Sequence, residues 1–188
     1  LHAVFVDTGL LRQGEVESVS KSLRARGFKN LHVIDAAHAF VTRLKGVTDP
    51  EEKRKIIGHT FVEVFEQALE NELHKFPVKF LAQGTIYPDR IESASVGKHA
   101  SKIKSHHNLT LPDKMKLKII EPLRDLYKDE VRRVGESMGI PHALVWRHPF
   151  PGPGLGIRIV GEVTDERLKI LREADAVFTE ELKAAGEY

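Results

Sequence analysis

The sequence predicts an α/β domain built on a mainly parallel sheet. Three observations carry this: short apolar runs that stop at Asp or Gly, amphipathic helical segments between them, and cap residues where those segments begin and end. Residues 2–7, HAVFVD, are the first run, closed by Thr8 and Gly9 as a buried parallel strand closes at a turn. Residues 14–26 set Val16, Val19 and Leu23 at helical spacing, and Gly27 stands where a left-handed C-cap belongs. Residues 31–35, LHVID, are a second strand. Strand, helix and strand in this order make a βαβ unit, whose crossover is right-handed.

Asp49 is placed as the N-cap of the next helix, with Pro50 at its first position and Thr48 with Glu51 as a further capping pair. Ile57, Phe61, Phe65, Leu69 and Leu73 follow at intervals of four, so the spacing predicts a helix of about 25 residues, ~37 Å long, with one face on the core. Residues 78–84 read as a third strand ending at Gly84, and residues 117–121 as a fourth ending before Pro122. Residues 128–138 form an amphipathic helix stopped by Gly139 and Pro141. Two stretches break the rhythm. Residues 94–112 are polar, rich in Ser, Lys and His and without periodicity, which is the character of a lid or a segment disordered without ligand. Residues 148–154, HPFPGPG, are too proline-rich for a helix or a central strand. They separate the α/β body from a strand-like run at 157–163 and a last helix starting near Thr164.

The composition narrows the function. The chain has 188 residues, 41% hydrophobic and 30% charged, enough for one globular domain or one domain and part of another. It has no cysteine, which excludes thiol catalysis, a disulfide framework and iron–sulfur chemistry. No apolar run approaches the roughly 20 residues that span a bilayer, and no signal peptide is legible, so a soluble, cytoplasmic protein with no membrane role is expected. A net charge of +2 and 7% aromatic residues argue against a nucleic-acid surface. The chain opens at Leu1, without Met and inside an apolar stretch, and is expected to be a piece of a larger protein.

In an open parallel sheet, ligands bind beyond the carboxyl ends of the strands. Three ends here carry Asp7-Thr8-Gly9, Asp35 and Gln83-Gly84-Thr85, which are expected to line one crevice; a simple turn accounts for any one of them equally well. Asp89 and Glu92 are three apart, so a helix puts both on one face, as Mg²⁺ bound to phosphate oxygens requires; an acidic first turn facing the helix dipole is the alternative. Lys102, Lys104, His106 and His107 could close over a polyphosphate, or be solvated loop charges. Lys53, Arg54 and Lys55 stand near the positive end of a helix, where an anion would explain them. Arg54 can hold a phosphate in two-pronged fashion or pair with Glu51 and Glu52. Neither a P-loop nor a dinucleotide-binding glycine pattern occurs after a strand, so these patterns reach a phosphorylated ligand but not a reaction type.

Five blocks in order then add a family. FVDTGLLR at 5–12, GVTDPEEKRKIIG at 46–58, AQGTIYPDRIES at 82–93, IKSHHN at 103–108 and WRHPFPGPGL at 146–155 resemble the synthetase part of the glutamine-hydrolysing GMP synthetase family, over nearly the whole chain. The resemblance implies an N-type ATP-pyrophosphatase fold (adenine nucleotide alpha hydrolase-like) over residues 1–147. Residues 148–188 would be a linker and the beginning of a C-terminal α+β dimerisation domain. It implies adenylation of XMP with release of pyrophosphate, followed by displacement of AMP by ammonia to give GMP. Asp89 and Glu92 would then serve Mg²⁺-ATP and adenylation, with Lys104, His106, His107 and Asn108 as catalytic lid residues. Arg54 would hold the XMP phosphate, and Asp7, Gly9, Leu10 and Gly84 would contact ATP. A glutamine amidotransferase domain or subunit and a homodimer are implied partners. The family's SGGVDS pyrophosphate loop does not occur in this sequence, nor does an amidotransferase domain, so the isolated chain is expected to be inactive. A non-catalytic nucleotide-binding relative is the alternative.

Overall fold

A computed structural model of the chain describes residues 1–73, 75–94, 117–148 and 150–188. They form two compact units, one of residues 1–76 with 150–188 and one of residues 77–149.

The first unit is built on the expected βαβ motif. Strand β1 (Ala3–Asp7) and strand β2 (Leu31–Asp35) are parallel, paired from Ala3 with Leu31 to Asp7 with Asp35. Helix α1 (Glu15–Ala25) makes the crossover and ends in a Schellman motif: Gly27 N donates to Arg24 O at 3.0 Å and Phe28 N to Leu23 O at 3.2 Å. The Asp35 carboxylate accepts from Ala37 N at 3.1 Å and opens helix α2 (Ala37–Arg43), whose Phe40 is fully buried. Sequence periodicity does not reveal so short a helix. Helix α3 (Pro50–Glu72) starts as expected, with Asp49 accepting from Glu52 N at 2.8 Å and Pro50 at its first position.

The buried face of α3 differs from the predicted stripe. Ile57, Phe65 and Leu73 are buried, but so are Lys53, Thr60, Val64 and Ala68, at successive turns of the same face. A second difference concerns residues 157–163, expected as a strand. They follow a 3₁₀ turn (Gly154–Ile157) and supply Ile159 and Val163 to the core without entering a ladder, while Val160 is 94% exposed. The Ile159 carbonyl, which a strand would pair, is taken by the Lys53 ammonium instead, together with that of Gly156 in the preceding turn. Helix α7 (Asp165–Ala184) then begins at Thr164, whose hydroxyl accepts from Arg167 N at 3.2 Å.

The second unit pairs strand β3 (Phe80–Ala82) in parallel with strand β4 (Lys118–Ile120). Both are shorter than their apolar runs, and Phe80, Ile119 and Ile120 are exposed rather than buried as a doubly covered strand would be. Among the described residues the four strands thus form two two-stranded parallel sheets, where the sequence is read as one sheet. Helix α4 (Tyr87–Ala94) follows β3, and helix α5 (Lys128–Ser137) leads through Gly139 and Pro141 to the short helix α6 (His142–Val145). Among the described residues, no helix is long and apolar enough to cross a membrane.

Candidate functional site

In the first unit the candidate site is the turn after β1. Asp7 Oδ1 accepts from Gly9 N at 2.8 Å and Thr8 Oγ1 from Leu10 N at 3.2 Å, so the two residues before the glycine fold the turn with their own side chains. Gly9 has φ +69°, and a Cβ there would lie 2.8 Å from Ala37 Cβ, so only glycine lets the turn approach α2 this closely.

The carbonyl side of the same turn is held by the C-terminal segment. Leu155 N donates to Leu10 O at 2.7 Å. Arg172 of α7 donates through Nε to Leu11 O at 3.1 Å and through Nη2 to Gly9 O. Gly154, at φ +67°, lies where a Cβ would be 2.4 Å from Leu10 O. Beside the turn, the buried carboxylate of Asp175 accepts from Arg12 Nε at 2.9 Å and Arg158 Nη1 at 2.6 Å, and both guanidiniums stand over the Phe150 ring.

Lys53 and Arg54, neighbours in sequence, have opposite fates. Lys53 is fully buried, its ammonium donating to Ile159 O at 2.7 Å and Gly156 O at 3.5 Å. Burial, with the Arg167 charge second, holds its pKa below the usual lysine value. It is therefore not part of a surface anion cluster, because position 53 falls on the face of α3 that packs inward. Arg54 is exposed and pairs with Glu51 at 3.1 Å. A phosphate at Arg54 would have to compete with that exposed pair, which is worth little.

In the second unit the candidate site is the loop from β3 to α4. Gln83 N donates to Ile120 O at 2.9 Å, prolonging the ladder by one bond. Gly84 follows, then Thr85, which is 3% exposed and donates from Oγ1 to Glu121 Oε1 at 2.7 Å. Asp89 Oδ2 accepts from Ile86 N at 2.9 Å, so this carboxylate caps the first turn of α4. Both it and Glu92 lie on α4 three residues apart, the spacing of one helix face. The side chain of Glu92 lies outside the described residues, as do Lys104, His106, His107 and Asn108. Among the described residues, no group of three or more His, Asp or Glu could hold a metal ion by itself.

The structure thus brings Asp7, Gly9 and Leu10 together in one turn, with Asp35 paired beside Asp7 in the strand register. Gly84 and Asp89 come together in the second unit. Sequence reasoning missed Arg172 and Asp175, which have no local signature because their partners at Gly9, Leu11 and Arg12 lie far away in the chain. Thr85 stands out by its place after a strand, but its bond to Glu121 does not.

No protein-family model matches the chain. It is 60% identical over 190 residues to the glutamine-hydrolysing GMP synthase of Solidesulfovibrio magneticus, with the whole chain covered and 36% of that protein. It is 56% identical over 192 residues to the enzyme of that name from Yarrowia lipolytica, and 57% over 189 residues to the one from Thermotoga maritima. The chain spans 36–37% of the length of these curated relatives.

Proposed function

We propose that this chain, which belongs by sequence with the glutamine-hydrolysing GMP synthases along its whole length, is the nucleotide-activating part of such an enzyme. The parent protein converts XMP to GMP with ATP and ammonia through an adenyl-XMP intermediate, releasing AMP and pyrophosphate. The observation that carries the reading is identity of 56–60% to relatives of this one name from bacteria and yeasts, over all of the chain. On this reading residues 1–147 are an N-type ATP-pyrophosphatase domain and residues 148–188 lead into a dimerisation domain. A glutamine amidotransferase domain or subunit supplies ammonia, and the protein works as a cytoplasmic homodimer.

The chemistry divides over the residues as follows. Asp7, Gly9 and Leu10 form a turn held on both its amide and carbonyl sides. Leu10 is fully buried and anchors the turn in the core, so Asp7 and Gly9 would offer the rigid edge for ATP, which loses little freedom on binding. Among the described residues, nothing lies within 4 Å of where a Cβ at Gly84 would stand, which leaves room for a ligand to approach the backbone closely. Among the described residues, the partner of Asp89 is the Ile86 amide on Oδ2, so its carboxylate fits Mg²⁺ as a one-oxygen donor, with Glu92 on the same helix face as the second. Mg²⁺ would neutralise the charge of the ATP phosphates and of the departing pyrophosphate. Lys104, His106, His107 and Asn108 would add cationic and hydrogen-bonding groups on the leaving side, and Arg54 would exchange Glu51 for the XMP phosphate.

Pyrophosphate release by the full-length protein, with Mg-ATP and XMP, tests the assignment. Asp89→Asn and Lys104→Ala are each expected to slow it by about 100-fold, the size of one lost transition-state donor. Full-rate release by both variants would remove these residues from adenylation. The 188-residue chain alone is expected to be inactive in the same assay.

A further inference from the structure

The geometry points to Arg172 as a positioning residue for the ATP-binding turn: its guanidinium, reaching from α7, fixes the Gly9 and Leu11 carbonyls and so sets the shape of the edge that meets the nucleotide. The inference rests on the reading of residues 7–11 as ATP contacts.

Three consecutive carbonyls, those of Gly9, Leu10 and Leu11, accept hydrogen bonds, and every donor lies more than 140 residues later in the chain. Leu155 N takes the middle carbonyl, and Arg172 takes the two outer ones with two nitrogens of one guanidinium. A planar fork of this kind fixes two acceptors relative to each other, which a single point donor cannot do. On the opposite side the amides of Gly9 and Leu10 are held by Asp7 and Thr8. Local side chains thus satisfy the amides, and the distant segment satisfies the carbonyls.

The guanidinium is itself held in place. Asp175, one turn along α7, is clamped between Arg12 and Arg158, which fixes that turn of the helix against the residue following the loop. Thr179 Oγ1 donates to Asp175 O within the same helix. Without Arg172 the helix would keep this anchor while the two outer carbonyls lost their donors. The turn would then sample other conformations, and ATP would have to bear the cost of ordering it.

The test uses the full-length protein at a temperature well below its melting point. Arg172→Ala is expected to raise KM for ATP by about tenfold, as for the loss of a charged hydrogen-bonding group, with KM for XMP and kcat at saturating ATP within about twofold. Arg172→Lys, which keeps a charge and donors but not the fork, is expected to recover only part of that loss. Hydrogen exchange of wild-type peptides spanning residues 7–12, with and without Mg-ATP, separates the two readings. Protection by Mg-ATP together with an unchanged KM for ATP in Arg172→Ala would overturn the role of Arg172 and leave the turn as an ATP contact. Absence of protection would overturn both. A lowered melting temperature with unchanged KM for ATP would reduce Arg172 to a structural residue.

Discussion

The hydroxyl of Thr85 donates to Glu121 Oε1 at 2.7 Å, tying the loop after β3 to the residue that follows β4. Thr85 is almost fully buried, so the bond joins the carboxyl ends of two parallel strands just before Asp89 caps α4. Replacing Thr85 by Val keeps the shape and removes the donor. The variant is expected to lose about 2 kcal/mol of stability, the size of a hydrogen bond to a charged group, read by urea denaturation. Wild-type stability in Thr85→Val would mean that the bond contributes nothing to holding the strand tips.

Gly154 has no tolerance for a side chain. Its φ of +67° and the 2.4 Å approach of a would-be Cβ to Leu10 O add backbone strain to a clash with main chain that cannot move aside. Gly154→Ala is expected to cost about 3 kcal/mol by the same measurement. Gly152→Ala is the contrast, since a Cβ there meets nothing within 4 Å among the described residues, and it should be close to neutral.

Lys53 makes stability depend on alkaline pH. Its folded-state pKa is lowered by burial, so between that value and the unfolded value of about 10.4 the unfolded chain binds more protons. Its contribution to stability therefore rises with pH through that window. Lys53→Met should be less stable than wild type at pH 7, because the carbonyls of Ile159 and Gly156 lose their donor. Its deficit should widen as pH rises toward the unfolded lysine value, and denaturation series at several pH values read the difference directly.

Glu136 behaves in the opposite sense. Hydrogen bonds from His142 first, then from Trp146, hold its pKa below the usual carboxylate value. The stabilisation is present above the unfolded pKa and is lost as pH falls through the lower folded one. Trp146 is the only tryptophan, donates to Glu136 Oε1 at 2.8 Å and lies under the Arg132 guanidinium, 4.6 Å from its ring centroid. Its fluorescence should therefore shift on acidification as α6 loosens from α5, and Glu136→Gln should remove that transition.

The sequence makes the local half of this structure legible. The βαβ motif, the Asp49–Pro50 start of α3, the Thr164 start of α7 and the glycine stop of α1 all follow from caps and periodicity, because those signals act within a few residues. The two-sheet pairing and the irregular course of residues 157–163 were not legible. A β-branched run reads as a strand whether or not a ladder partner exists, and here a buried lysine takes the carbonyls instead. The same limit applies to the site. Asp7, Gly9, Thr85 and Asp89 stand out by position after a strand or at a helix start, whereas Arg172, whose partner Leu11 is 161 residues away, and the bond from Thr85 to Glu121, 36 residues on, carry no local signal.

The most direct measurement is formation of GMP by the full-length protein given XMP, Mg-ATP and ammonia, with AMP and pyrophosphate followed together. The account predicts one AMP and one pyrophosphate for each GMP, and pyrophosphate release that requires XMP. Release of ADP and phosphate, or cleavage of ATP at the same rate without XMP, would contradict it.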